Sequence, residues 1–154
     1  RARWDRAEIS EGQRLVERAL ALRRPGPYQL QAAIAAVHDE AETAEATDWT
    51  QIVGLYDALQ SVSPSPVVEL NRAVAVAMAD APGAGLELVN VLAARGELDG
   101  YHLLHAARAD LLRRLDRREE AAAAYRRALA LATQPAERRF LAGRLRDLSP
   151  PPAG

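Results

Sequence analysis

The chain is 154 residues long and 49% hydrophobic, and its 20 basic residues, all arginine, stand against 21 acidic ones for a formal net charge of −1. That length suits one compact domain burying roughly 70% of its unfolded surface, and the near-neutral charge argues against a nucleic-acid-binding surface as its main business. Cysteine is absent, which excludes disulfides, thiolate catalysis and cysteine-ligated zinc and suits a cytoplasmic protein. No apolar run reaches the roughly 20 residues of a membrane span, and no signal-peptide pattern opens the chain. The first residue is Arg1 rather than Met, so the chain reads as a fragment or processed product of a longer protein.

Helical periodicity runs throughout and strand signals are nearly absent, predicting an all-α fold of about eight antiparallel helices. Pro and Gly punctuate them. The first helix is expected over 5–23. The second, 27–45, opens on Pro27, whose missing N–H costs nothing in a first turn. It places Leu30, Ile34, Val37 and Ala41 on one face and Tyr28, Gln31, Ala35 and His38 on another. The third, 48–62, starts from an Asp48 cap just before Trp49 and turns Ile52, Tyr56 and Leu59 inward.

The fourth helix, 66–80, follows a Ser65 cap with Pro66 in its first position. Its core residues are expected to be Val67, Leu70, Val74 and Ala77, which leaves Glu69, Asn71 and Arg72 near its start. Helices over 83–95, 100–115, 117–132 and 135–147 complete the set, the last opening on Pro135. The terminal segment 149–154, SPPPAG, has no apolar side chain to anchor it and is expected to be disordered.

A repeat underlies the series. Leu15, Ala19 and Leu22 recur in type as Ile52, Tyr56 and Leu59, then as Gly85, Val89 and Leu92, then as Ala121, Tyr125 and Ala128. From Ala19 to Tyr56 to Val89 to Tyr125 the steps are 37, 33 and 36 residues. A step near 34 built from two helices is the signature of tetratricopeptide (TPR) repeats. The expected architecture is therefore a TPR-like solenoid over 1–148, with a leading helix 5–23, pairs 27–62, 66–95 and 100–132, and a polar capping helix 135–147.

In such stacks the first helix of each pair lines the concave face, so polar residues left over there are candidate partner contacts. These are Tyr28, Gln31, His38, Asn71, Arg72, Tyr101, His102 and Arg108. Asn71 and Arg72 suit a peptide main chain or carboxylate, although Glu69 and Arg72, three residues apart, are also spaced to pair with each other. His102 and His105 share a helix face, yet with Asp99 or Asp110 they still fall short of a closed metal site. The serines sit at helix ends and turns, no Gly-rich phosphate loop occurs, and Glu119-Glu120 suits a helix dipole. Neither catalytic residues nor a cofactor or metal is implied.

Four segments carry a more specific likeness: RALALRRPGPYQLQAAIAAVHDEA, TDWTQIVGLYDAL, SPSPVVELNRAVAVAMADAPGAGLEL and YHLLHAARADLLRRLDRREEAAAAYRRALALATQPAERRFL. Together they resemble the C-terminal TPR-like extension of bacterial extracytoplasmic-function (ECF) RNA polymerase sigma factors, over residues 3 to 147. The pattern departs at Asp116, where Gly is usual, at Thr133, where Pro is usual, and at His105, where Pro is common. The resemblance implies a regulatory domain that controls promoter-specific transcription initiation through the sigma core domains of the parent chain, RNA polymerase or a regulatory protein. It implies no direct DNA binding by this segment, because the promoter-reading domains are absent from it. A free-standing TPR-like adaptor unrelated to transcription is the alternative, and a small-molecule sensor using the three histidines is a third reading.

Overall fold

A computed structural model describes residues 26–40 and 47–149. The expected helix 5–23, the end of helix 27–45 and the tail beyond Ser149 lie outside the described residues. The chain divides into two compact units, Arg1–Ala79 and Asp80–Gly154. The first contains α1 (Pro27–Glu40), α2 (Trp49–Val62) and α3 (Pro66–Ala79), and the second α4 (Pro82–Arg95), α5 (His102–Arg114), α6 (Arg118–Leu131) and α7 (Pro135–Leu148). Among the described residues there is no strand, and the starts of all seven helices fall within two residues of those expected.

The helix starts follow local chemistry. Gln29 reaches back to the Gly26 N–H at 2.5 Å, one half of a capping box ahead of Pro27. Asp48 Oδ1 accepts from the Gln51 N–H at 3.1 Å, and Ser65 Oγ accepts from the Val67 N–H at 3.1 Å. Each such cap stabilises its helix by about 1 kcal/mol. Pro66, Pro82 and Pro135 occupy first helical positions, where no N–H is needed.

In the first unit, consecutive helices pack on each other. Leu30, Ala33, Ile34 and Val37 of α1 meet Ile52, Leu55 and Leu59 of α2 and Ala75 of α3 in one buried cluster, with Trp49, Tyr56 and Val68 at its margin. A Leu taken fully out of water contributes about 2 kcal/mol, so among the described residues this cluster supplies several such contributions to the packing of α1, α2 and α3. The expected face of α3 needs correction. Leu70 and Ala77 are buried, but Val67 is 37% exposed and Val74 is half-buried. Val68 and Ala75 face α2 instead, with Arg72 between them reaching Asp57 of α2 at 2.5 Å. The stretch PVVELNRAVAVAMA is apolar on nearly every side, so its periodicity does not select a face; the partners on α2 do.

In the second unit, α4 packs on α5, α5 on α6 and α6 on α7. The repeat positions Val89, Ala121, Tyr125 and Ala128 are almost fully buried. The Tyr125 hydroxyl accepts from Arg113 Nε at 3.3 Å, and Arg113 also bonds Asp110 at 2.6 Å. The Asp110 bond first and the Tyr125 bond second raise the Arg113 pKa above its ordinary value. Arg138 of α7 donates to the Leu129 and Ala132 carbonyls at 2.6 and 2.9 Å, which caps the C-terminus of α6 with a cation.

The turns on either side of α5 need left-handed backbone. Gly96 ends α4 at φ 80°, and Asp116 follows α5 at φ 58°. Around Asp116 the two bonds of a Schellman motif form: the Arg117 N–H to the Leu112 carbonyl at 2.9 Å, and the Asp116 N–H to the Arg113 carbonyl at 3.0 Å. A side chain there costs about 1 kcal/mol relative to Gly. Asp116→Gly should therefore stabilise the protein by about 0.5–1 kcal/mol and Asp116→Val should destabilise it by about 1–2 kcal/mol. Denaturant melts check both, and an Asp116→Gly variant less stable than the parent would contradict the assignment.

Candidate partner-binding groove

The first unit has an open groove of about 590 Å³, within the ~300–1,000 Å³ typical of ligand sites. Three helices build it. α1 turns Leu30, Ile34 and Val37 into the core, so Gln31, Ala35 and His38, at i, i+4 and i+7, stand together along one wall. Tyr56 and Leu59 of α2 form the floor, with Ser63 at its end. Ser65 and then Val67, Val68 and Asn71 of α3 make the second wall.

The angle between floor and second wall is set by Gln60. Its Oε1 accepts from the Ser65 N–H at 3.2 Å, and its Nε2 donates to Glu69 Oε1 at 3.2 Å. One carboxamide thus ties the end of α2 to both the turn and the first turn of α3. The Arg72–Asp57 pair is a second brace, and side chains this exposed add at most about 1 kcal/mol. At the other wall, the His38 ring meets Trp49 edge to face at 5.2 Å, a contact of about 0.5–1.5 kcal/mol beyond burial.

None of the eleven lining residues is Asp, Glu or Arg, although 27% of the chain is charged. The carboxamides of Gln31 and Asn71 and the Tyr56 hydroxyl make no hydrogen bond to any described residue. Burial raises the Tyr56 phenol above its ordinary value of 10.0, so it stays a neutral hydroxyl through the physiological range.

Of the residues singled out from sequence, the structure brings three together here: Gln31, His38 and Asn71. Tyr28 stands on α1 but is 90% exposed and does not line the groove. Arg72 is engaged by Asp57 on α2. Tyr101, His102 and Arg108 belong to the second unit, where Arg108 Nε bonds Asn90 Oδ1 at 2.8 Å and the Tyr101 and His102 rings lie 5.7 Å apart. His102 Nε2 lies 2.7 Å from Glu137 Oε2. Both atoms are sealed from solvent, and the approach is too poorly aligned to count as a hydrogen bond. His105 Nε2 donates to the Asp99 carbonyl at 2.7 Å. No group of three or more His, Asp or Glu among the described residues could hold a metal ion.

Tyr56, Ser63, Val67 and Val68 escape a sequence reading of the groove because Tyr56 and Val67 occupy core-type positions and the other two sit beside turns. The available signal is the excess of apolar residues on α3 over what one buried face requires. The second unit has a separate depression of about 560 Å³ between α6 and α7. It is charged, with Arg118, Glu119 and Arg126 around Ala122, Leu145 and Leu148.

Tyr56 makes the floor testable. Its raised pKa means that the folded chain holds the phenolic proton more tightly than the unfolded chain does. The associated stability is complete below the ordinary value of 10.0 and is lost as pH rises through the raised one. Tyr56→Phe should flatten the alkaline fall in denaturation midpoint. Parallel falls in parent and variant would place the phenol in water.

Over 150 residues, 97% of its length, the chain is 47% identical to an uncharacterized protein of Rhizobium meliloti (strain 1021). It spans about a third, 35%, of that relative's length. No family model and no solved structure matches it.

Proposed function

We propose that this chain is a TPR-like, helical-repeat regulatory domain of an ECF-type RNA polymerase sigma factor. It acts in the cytoplasm, and its α1–α3 groove holds a segment of the sigma core domains, of RNA polymerase or of a regulatory protein. The observation that carries a binding role is the groove itself, a cleft without Asp, Glu or Arg in its lining whose Gln31 and Asn71 carboxamides are exposed and have no hydrogen-bond partner among the described residues. Polar groups left free on a rigid helical frame supply orientation and specificity to a partner. On the TPR-like reading, a cleft between two first helices and over a second is expected on the concave side.

The sigma-factor part of the proposal rests on the four segments quoted above and is supported by proportion. A relative matched over only 35% of its length leaves nearly two thirds outside the match, room for two further domains of ordinary size. A net charge of −1 suits a domain that leaves promoter contacts to other parts of its protein. Among the described residues no helix is long and apolar enough to cross a membrane.

The test uses the full-length Rhizobium relative with core RNA polymerase, and the present chain added in trans. Expected are promoter-specific initiation by the relative, altered initiation when the matched segment is removed, and retention of the present chain on the sigma core or the polymerase. Asn71→Ala should reduce that retention without loss of stability, since Ala is the better helix former at an exposed site by about 0.5 kcal/mol. A full-length relative that neither binds polymerase nor supports initiation would overturn the sigma-factor role and leave the free-standing adaptor.

A further inference from the structure

We propose that the turn between α4 and α5 holds a covalent modification site, Asp99–Gly100, at which the folded chain converts Asp99 to isoaspartate through a succinimide. The site depends on neither the groove nor the partner proposed for it.

The sequence supplies the reactive pair. Ring closure brings the main-chain nitrogen of the following residue onto the Asp Cγ, and a Cβ on that residue crowds the approach. Asp99–Gly100 is the only Asp-Gly pair in the chain, and Asn-Gly does not occur. Gly100 brings no Cβ and a permissive backbone. Asp80 and Asp48, by contrast, precede Ala81 and Trp49.

Folding ordinarily blocks the reaction by fixing the backbone and by holding the nucleophilic nitrogen in a hydrogen bond. Neither block operates at Gly100. Both residues of the pair are exposed and lie outside the helices. The Asp99 side chain is 71% exposed, and its contact to Arg127 at 3.5 Å is too long and too wet to hold it firmly. On either side the N–H groups are engaged, Asp99 with the Gly96 carbonyl at 3.3 Å and Tyr101 with that of Leu98 at 2.9 Å. The Gly100 N–H has no acceptor among the described residues. Asp116 stands in a turn too, but the Arg117 N–H that would have to react is bonded to the Leu112 carbonyl at 2.9 Å. Asp57, Asp110 and Asp147 lie within helices.

One contact favours the reaction. His105 Nε2 donates to the Asp99 carbonyl at 2.7 Å. A donor at that oxygen draws electron density out of the Asp99–Gly100 amide, which makes its N–H easier to deprotonate.

The atoms balance without a further reagent. The Gly100 nitrogen bonds to Asp99 Cγ, and its proton leaves with the hydroxyl of the carboxyl group, protonated from solvent, as one water. One water then adds back. Addition at Cγ restores Asp99; addition at the former main-chain carbonyl gives isoaspartate, with the chain now running through Cγ. Nothing is oxidised or reduced. The product has an extra methylene in the main chain inside the Leu98–Tyr101 turn, and the carbonyl carbon beside His105 becomes a free carboxylate. That α-carboxylate is the group an isoaspartate-specific carboxyl methyltransferase would esterify.

The experiment ages the intact chain for several weeks at neutral pH in heavy-oxygen water, beside Gly100→Val and Asp99→Glu. A protease that cuts before Asp but not before isoaspartate, followed by mass spectrometry, reads the missed cut after Leu98 and the heavy oxygen left by each succinimide hydrolysis. A capped peptide of sequence GELDGYH gives the rate without the fold. A Cβ at Gly100 meets nothing within 4 Å, and Asp99→Glu alters only an exposed side chain.

Expected is label at Asp99 above every other aspartate, at a rate within about tenfold of the peptide's, as befits an exposed turn. Gly100→Val should slow it by about tenfold or more, because a β-branched side chain shields the nitrogen. Asp99→Glu should remove it, since the longer side chain closes a larger ring much more slowly. Label spread evenly over the aspartates, a folded chain slower than the peptide by more than that margin, or an unchanged rate in Gly100→Val would each overturn the assignment.

Discussion

The first unit depends on one side chain that belongs neither to its core nor to its groove lining. Gln60, near the end of α2, spends both halves of its carboxamide on the connection to α3, accepting from Ser65 and donating to Glu69. Between them Pro64 and Pro66 restrict the backbone of the turn. Two helices joined by so short a link could cross at many angles, and the apolar packing of Ile52, Leu55 and Leu59 with Val68 and Ala75 is non-directional, so it discriminates weakly among those angles. A directional hydrogen-bond pair discriminates strongly. With the crossing fixed, Tyr56 and Leu59 become a floor, and Val67 and Asn71 a wall.

The predominance of alanine follows the same logic. Ala33, Ala75, Ala121, Ala124 and Ala128 are all buried. They let helix axes approach closely and keep the helices intrinsically favourable. Alanine contacts supply little specificity of their own, so registry is delegated to a few larger or polar residues. Tyr125 with Arg113 plays that part in the second unit, and Arg72 with Asp57 in the first.

Much of the fold was legible in the sequence because its helix starts are written in residues with a single mechanical meaning. Pro27, Pro66 and Pro135 mark first turns, Asp48 caps, and the 4-then-3 spacing of Ile52, Tyr56 and Leu59 finds the inward face. The left-handed turn after α5 was also foreshadowed, since Asp116 stands where the resembled pattern carries Gly. The site was less legible. Gln31, His38 and Asn71 stood out as polar residues on first helices, but whether they share a cleft depends on the rotation of α3, and a helix with apolar residues on nearly every side does not encode that rotation locally. Arg72 shows the limit from the other direction. Three residues from Glu69, it invites pairing within the helix, yet its shortest contact runs across to Asp57, a partner that exists only once α2 and α3 have packed.

The cap that Arg138 provides to α6 bears on where this unit can be cut. The last turn of α6 is completed by a guanidinium from the next helix, so the carbonyls of Leu129 and Ala132 have their cationic partner only while α7 is folded against them. Protease nicking in the loop before Pro135 would leave both fragments with open ends at once: α6 with exposed carbonyls, and α7 with an arginine facing water. The smallest autonomous piece of the second unit therefore extends through α7, and the helix that looks like a dispensable terminal cap is a structural component of its neighbour.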